Sequence, residues 1–319
     1  MTKSRIAAVA ALAATLATPA LADFPERPLQ VIVPYAAGGS TDLGLRILGE
    51  AIERLYDSST VVVRNQPGGG GGIGTSAVVH ARPDGYTVGA GAQGPIAILP
   101  HVGGAQYTPD DLEYIGIFAR SLQLLVACKG APFTDYDSFI AAAADKAPQI
   151  GNSGAGGANH ISAEAFAMAA GIKVESVPFG GSSEARTACI GGHIDAMVAS
   201  PAEALGAAEA GQMTPLFVME DERIDLFPDT PTAVEKGVDF TWSSYKGIIA
   251  PKGIPEAELA WLREAVAAVA ADPEFIKTMT EMGELVVYED GPAFEARVKK
   301  DAETSRSVLE NLGLLGMNN

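Results

Sequence analysis

The sequence predicts an α/β protein folded as two lobes. Strand-like runs alternate with helical segments from end to end, the pattern of mainly parallel sheets flanked by helices. Runs such as VIVP and VVV are apolar without interruption, as expected of strands that helices cover on both faces. The block 125–245 carries a complete set of strands and helices of its own. The tail 246–319 is expected to return to the first lobe, 23–124. Two crossings then fall near SLQLLVACK and SYKGIIAPK, and two crossings make a hinge.

The chain opens MTKSRIAAVAALAATLATPALA. Lys3 and Arg5 form a basic n-region, Ile6 to Leu16 an apolar stretch, and Ala20-Leu21-Ala22 a small-x-small cleavage site. This is the layout of a secretory signal peptide, residues 1–22, cleaved after Ala22. The expected location is the periplasm. LQVIVPY then precedes a helix from Thr41 to Tyr56, and TVVVRN precedes a glycine loop and the helical IGTSAVVHA. PDG marks a turn into strand YTVGAGA. IGIFARSLQLLVACKG reads as two consecutive strands or one long one. Helices Tyr136–Lys146, Ala158–Ala170, Glu184–Ile190 and Ala202–Ala210 alternate with strands QIGNSG, VESVPF, IDAMVAS and TPLFVM. The tail reads as strand KGIIAPK, helix Pro255–Ala271, the short helix DPEFIKTMTEMG, strand LVVYE and a final helix Pro292–Leu312.

The 319 residues are 47% hydrophobic and 19% charged, which marks a globular chain. A formal charge of −17 with no basic stripe excludes nucleic acid as a partner. Beyond the signal peptide no apolar run approaches membrane-spanning length. Cys128 and Cys189 each lie among apolar neighbours, where a buried free thiol is common, and are expected to be unpaired.

Three loops share one design: the carboxyl end of a strand, small residues, then a helix start. They are AAGGSTD (36–42), NQPGGGGGIG (65–74) and NSGAGGANH (152–160). In open α/β sheets ligands bind beyond the carboxyl ends of the strands. Glycine lets backbone approach a ligand closely. The first amides of the following helix lack internal partners and carry partial positive charge. Together these features make a seat for a carboxylate or phosphate without Arg or Lys. Ser40, Thr41 or Asp42 as a plain N-cap accounts for one residue and leaves Ala36 to Gly39 unexplained.

Other chemistry is sparse. Gly69, Gly71 and Gly74 match G-x-G-x-x-G, but GAGAQGPIAI supplies no acid where a dinucleotide site needs one. No cofactor is expected. The four histidines show no H-x-x-x-H and the cysteines no C-x-x-C, so no metal site is expected. Residues 151–155, GNSGA, fall one residue short of G-x-S-x-G. Ser153 with His160 reads as a polar loop contact, and an exported Ser/His hydrolase of a small ester or amide is the alternative function.

FPERPLQVIVPYAAGGSTD, VVVRNQPGGGGGIG, PDGYT, GNSGAGGANH, VPFGG and IGGHIDAM occur in this order over essentially the whole mature chain. In these motifs the chain resembles the periplasmic solute-binding receptors of tripartite tricarboxylate transporters, the Bug or TctC family. The resemblance implies a two-lobed periplasmic-binding-protein (type II, Venus-flytrap) fold and no enzymatic activity. Such a receptor closes on a small organic anion, a di- or tricarboxylate or related carboxylate, and delivers it to a membrane permease of one large and one small subunit. Carried over by motif, the ligand rests on Ala37, Gly38, Gly39, Ser40 and Thr41 with Tyr35 alongside, and Asp42 holds the loop. Gly72, Ile73, Gln93 and Gly94 face the same pocket, and the second lobe adds Ser153, Gly154, Asn159, His160, Phe179 and Gly181. The chain departs from the family pattern where a Ser usually replaces Gly157 or Ala158, and where a Lys usually stands in place of Gly180.

Overall fold

Leu29–Val33 (β1) is apolar except at Gln30 and lies between two strands, Val61–Asn65 (β2) and Thr87–Ala92 (β3), parallel to both. The computed structural model describes residues 24–57, 59–103, 105–311, 313 and 315–316; the expected signal peptide and cleavage site lie outside the described residues. Further strands are Leu112–Leu122 (β4), Leu124–Ala127 (β5), Gln149–Asn152 (β6), Glu175–Pro178 (β7), Ala196–Ala199 (β8), Thr214–Val218 (β9), Ser243–Pro251 (β10) and Glu284–Asp290 (β11). The helices used below are Ser40–Leu55 (α1), Gly72–Val79 (α2), Tyr136–Asp145 (α3), Ala158–Ala170 (α4), Ser182–Ile190 (α5), Pro201–Glu209 (α6), Glu256–Ala270 (α7), Pro273–Glu281 (α8) and Gly291–Asn311 (α9).

The strands form two sheets, one of six in the order β11-β4-β10-β3-β1-β2 and one of five in the order β7-β6-β8-β5-β9. Both are mixed. The β2-β1-β3 and β7-β6-β8 blocks are parallel. The strands that carry the chain between lobes, and β11 at the edge, pair antiparallel. The reason is connectivity: βα units yield parallel neighbours, whereas a strand that crosses over and returns runs back against them.

Both faces of each sheet are covered. Leu45, Leu48 and Ile52 of α1 pack with Leu262 and Val266 of α7 on one side of the first sheet. Phe294 and Val298 of α9 cover the other side with Val78 of α2. In the second sheet Phe139 and Phe166 face Phe217, while Ala185, Met197 and Ala204 form the opposite cluster.

The run IGIFARSLQLLVACKG is two strands, one in each sheet, with Gln123 alone between them. The return crossing runs beside it: Met219 N donates to Gln123 O, and Trp242 N to Met219 O. The two cysteines correct the sequence expectation, because Cys128 and Cys189 form a disulfide. Their apolar neighbours do bury both. What the local sequence does not contain is that α5 docks with its end beside the end of β5, where Lys129 N donates to Cys189 O.

Candidate functional site

Helix α1 begins behind Gly39 and α4 behind Gly157, and neither glycine has a side chain to bond the first amides. By contrast the Asp135 and Asp272 side chains cap α3 and α8. Among the described residues, the amides of Thr41, Asp42, Ala158 and Asn159 have no acceptor within the protein. Uncapped amides of this kind are ready to receive an anion.

These four residues line one cleft between the sheets. The first lobe adds Tyr35, Gly39, Ser40 and the end of β3 at Ala92, Gln93 and Gly94. The crossings place Ser121, Leu122, Gln123, Ser244 and Tyr245 at its base, and the second lobe adds Ser153, Ser182, Ser200 and Glu203. Among the described residues no Lys, Arg or His lines it. The cleft holds a cavity of about 40 Å³, room for roughly three water-sized groups.

The supports beneath the α1 loop are charged and fully bonded. Asp42 accepts from Gly38 N at 2.8 Å, Arg46 Nε at 3.1 Å and Asn65 Nδ2 at 2.9 Å. Burial alone pushes the Asp42 carboxyl up, but these hydrogen bonds and the Arg46 charge overcome it and hold it below its ordinary value. Ser40 Oγ donates to Glu284 Oε1 at 2.7 Å, and Glu284 pairs with Lys246 at 2.7 Å, both side chains being buried. Ser121 Oγ donates to Glu284 Oε2 at 3.0 Å and also bonds the Lys246 ammonium. Lys246 is thus neutralised one layer behind the cleft.

The lobes are closed on each other. Ala36 N donates to Gly180 O at 3.2 Å, Ser40 N to Glu203 Oε1 at 2.8 Å, and Gln123 Nε2 to Asn159 Oδ1 at 3.0 Å. A Cβ on Gly70 would lie 2.3 Å from Ala155 O, and one on Gly94 2.8 Å from Ala158 N. Glycine in these loops therefore serves lobe-to-lobe contact.

Of the residues implied by the resemblance, Tyr35, Gly39, Ser40, Thr41, Asp42, Gln93, Gly94, Ser153 and Asn159 line this cleft. Ala37 and Gly38 form the turn behind it. Gly72 faces Leu99, and Ile73 is 59% exposed. Gly154 packs on Gly70, Phe179 on the apolar cluster of Ala185 and Ile194, and Gly181 against Ala36. The half-buried His160 ring accepts the Gly156 amide at Nδ1, 2.9 Å away, and its partial burial lowers its pKa. Among the described residues no hydrogen bond joins His160 to Ser153, so the pair lacks the contact a nucleophile and base need.

Sequence reasoning passed over Gln123, Ser200 and Glu203. Two local signals were there to read. SPAE, 200–203, is a capping box, and both of its reciprocal bonds are present. Ser121 and Gln123 put two polar positions between the apolar stretches IGIFA and LLVA.

Known proteins share this chain's sequence pattern and fold. Residues 46–314 match the profile of the tripartite tricarboxylate transporter family receptors, TctC. The chain belongs to this family. A UPF0065 protein from Cupriavidus necator is 29% identical over 98% of this chain and 96% of its own length. The structure of the periplasmic binding protein BugD superposes with a TM-score of 0.86 at 28% identity, covering 92% of this chain and all of that one. MatC from Rhodopseudomonas palustris, solved with bound malate, gives 0.83 at 26% identity over 90% of this chain and all of its own. TctC-family proteins are solute-binding receptors, and the two-sheet α/β architecture is theirs.

Proposed function

We propose that this chain is the periplasmic receptor of a tripartite tricarboxylate transporter, exported by a cleaved signal peptide. It captures a small organic carboxylate between its lobes and hands it to a permease of a large and a small subunit. The observation that carries this reading is that open amides from α1 and α4, one helix in each lobe, line one cleft. Only a ligand held by both lobes favours the closed state over the open one. Hydrogen bonds to a charged acceptor are worth about 1.5–3 kcal/mol each. Several of them together reach micromolar affinity, about −8 kcal/mol. MatC binds a carboxylate of this kind, malate.

The test is a thermal-shift screen with mono-, di- and tricarboxylates and amino acids. At least one is expected to raise the melting temperature by several degrees, since a ligand specific to the folded state stabilises it. Gly39→Val is expected to remain folded and lose the shift. A Cβ there meets nothing closer than Glu203 Oε1 at 3.4 Å, but the added methyls fill the space beside Thr41. A folded Gly39→Val protein that binds normally would overturn the site.

A further inference from the structure

Helix α1 takes its cap from the other lobe. It starts behind Gly39, which offers no side chain to its amides. Helices α3, α6 and α8 are each capped by the side chain of the residue before them, Asp135, Ser200 and Asp272. In α1 the first amide does find an acceptor: Ser40 N donates to Glu203 Oε1 at 2.8 Å, across 163 positions of sequence.

Glu203 is held ready for this contact by its own lobe. It is the third residue of α6, and its Oε2 accepts the Ser200 amide at 2.9 Å as half of the capping box of that helix. That bond lies wholly within the second lobe, so opening the hinge leaves it in place and the carboxylate aimed. Opening breaks the bond to Ser40, and with it the cap of α1. Burial costs a carboxylate its water, and Glu203 is 2% exposed. Against this, each of its oxygens receives an amide, and one faces the positive end of a 16-residue helix. The bonds Ala36 N to Gly180 O at 3.2 Å and Gln123 Nε2 to Asn159 Oδ1 at 3.0 Å also join the lobes, but between neutral groups. A bond to a charged acceptor is about twice as strong. The ion pair of Arg120 with Glu220, 3.5 Å apart, lies at the hinge, where β4 and β10 meet the end of β9, rather than between the facing loops.

We propose that Glu203 is a built-in latch: a carboxylate of the second lobe that caps helix α1 of the first and draws the lobes shut without a solute. The proposal goes beyond the receptor reading, since it concerns the resting conformation and holds whatever solute the cleft takes. A receptor latched in this way presents its closed face before it is loaded, and a solute carboxylate that takes the Ser40 amide has to displace Glu203.

The experiment is a lobe-to-lobe distance measurement by pulsed EPR. Nitroxides are placed on Glu50→Cys of α1 and Glu209→Cys of α6, both exposed positions, in the full mature chain unfolded and refolded with its disulfide intact to strip solute. The short, closed distance is expected to dominate. Glu203→Ala is expected to lower the closed-to-open ratio about tenfold or more. Ser40→Pro removes the donor instead. Proline suits the first position of a helix, and Gly39 at ψ 167° has the extended backbone that a residue before proline prefers. Ser40→Pro loses the amide and the hydroxyl, and Ser40→Ala the hydroxyl alone. The Pro variant is therefore expected to be about tenfold more open than the Ala variant. Adding Glu203→Ala to Ser40→Pro is expected to open the protein no further, because both changes remove one and the same bond. A native chain that rests open, a ratio unchanged in Glu203→Ala, or effects of the two changes that multiply, overturns the latch. Should one of the variants not fold, the other decides. Each of these failures leaves the carboxylate receptor standing, which the thermal-shift screen tests separately.

Discussion

At the scale of single residues, His160 shows how a loop contact becomes a pH response. Its Nδ1 accepts the Gly156 amide, which only an unprotonated nitrogen does, and burial lowers its pKa. The unfolded chain takes up a proton near the ordinary histidine value, about 6.5, while the folded chain resists. The folded state is therefore at full stability above that value and loses stability as pH falls through it. Glu164 Oε1, 4.0 Å from Nε2, offsets part of the cost of charging the ring. Between about pH 7 and pH 5 the melting temperature of the native chain is expected to fall more steeply than that of His160→Gln. Parallel curves would show that the ring carries no linkage. The residue scale is also where the sequence was least legible. Glu203 is readable as the third position of a capping box, but its contact with Ser40, 163 positions away, is not.

Among whole elements, the start of α1 rests on β10, β11 and β4 through Ser40, Lys246, Glu284 and Ser121. Breaking a buried pair strands the partner's charge, at a cost of about 3–5 kcal/mol. Lys246→Met is therefore expected to lower the urea midpoint by a corresponding amount, and Lys246→Met with Glu284→Leu to recover much of it. Equal midpoints for the native and single-variant proteins would contradict the geometry. The elements themselves were largely visible beforehand. The expected helix Thr41–Tyr56 is observed as Ser40–Leu55, and Ala158–Ala170 is found at the same bounds, because apolar spacing and the glycines before each helix are local properties. The antiparallel half of each sheet was not visible, since strand direction depends on where the chain returns.

For the molecule as a whole, the lobes meet through backbone so close that a side chain would keep them apart. Gly181 has φ 176°, extended backbone open to any residue. Yet a Cβ there would lie 2.7 Å from Ala36 N across the cleft. Gly181→Val should leave each lobe folded and hold the pair open. X-ray scattering is expected to report a larger radius of gyration, and titration a weaker affinity for whatever ligand the native chain binds. Unchanged values for both would mean that closure does not depend on this contact.

The sequence by itself determined the alternation of strands and helices and the glycine caps that leave helix amides open. Each of these is written in residues a few positions apart. Only the tertiary structure decided that Cys128 meets Cys189 and that Glu203 of one lobe bonds the first helix of the other. Those contacts join segments dozens to hundreds of residues apart, and no local propensity encodes which surfaces a hinge brings together.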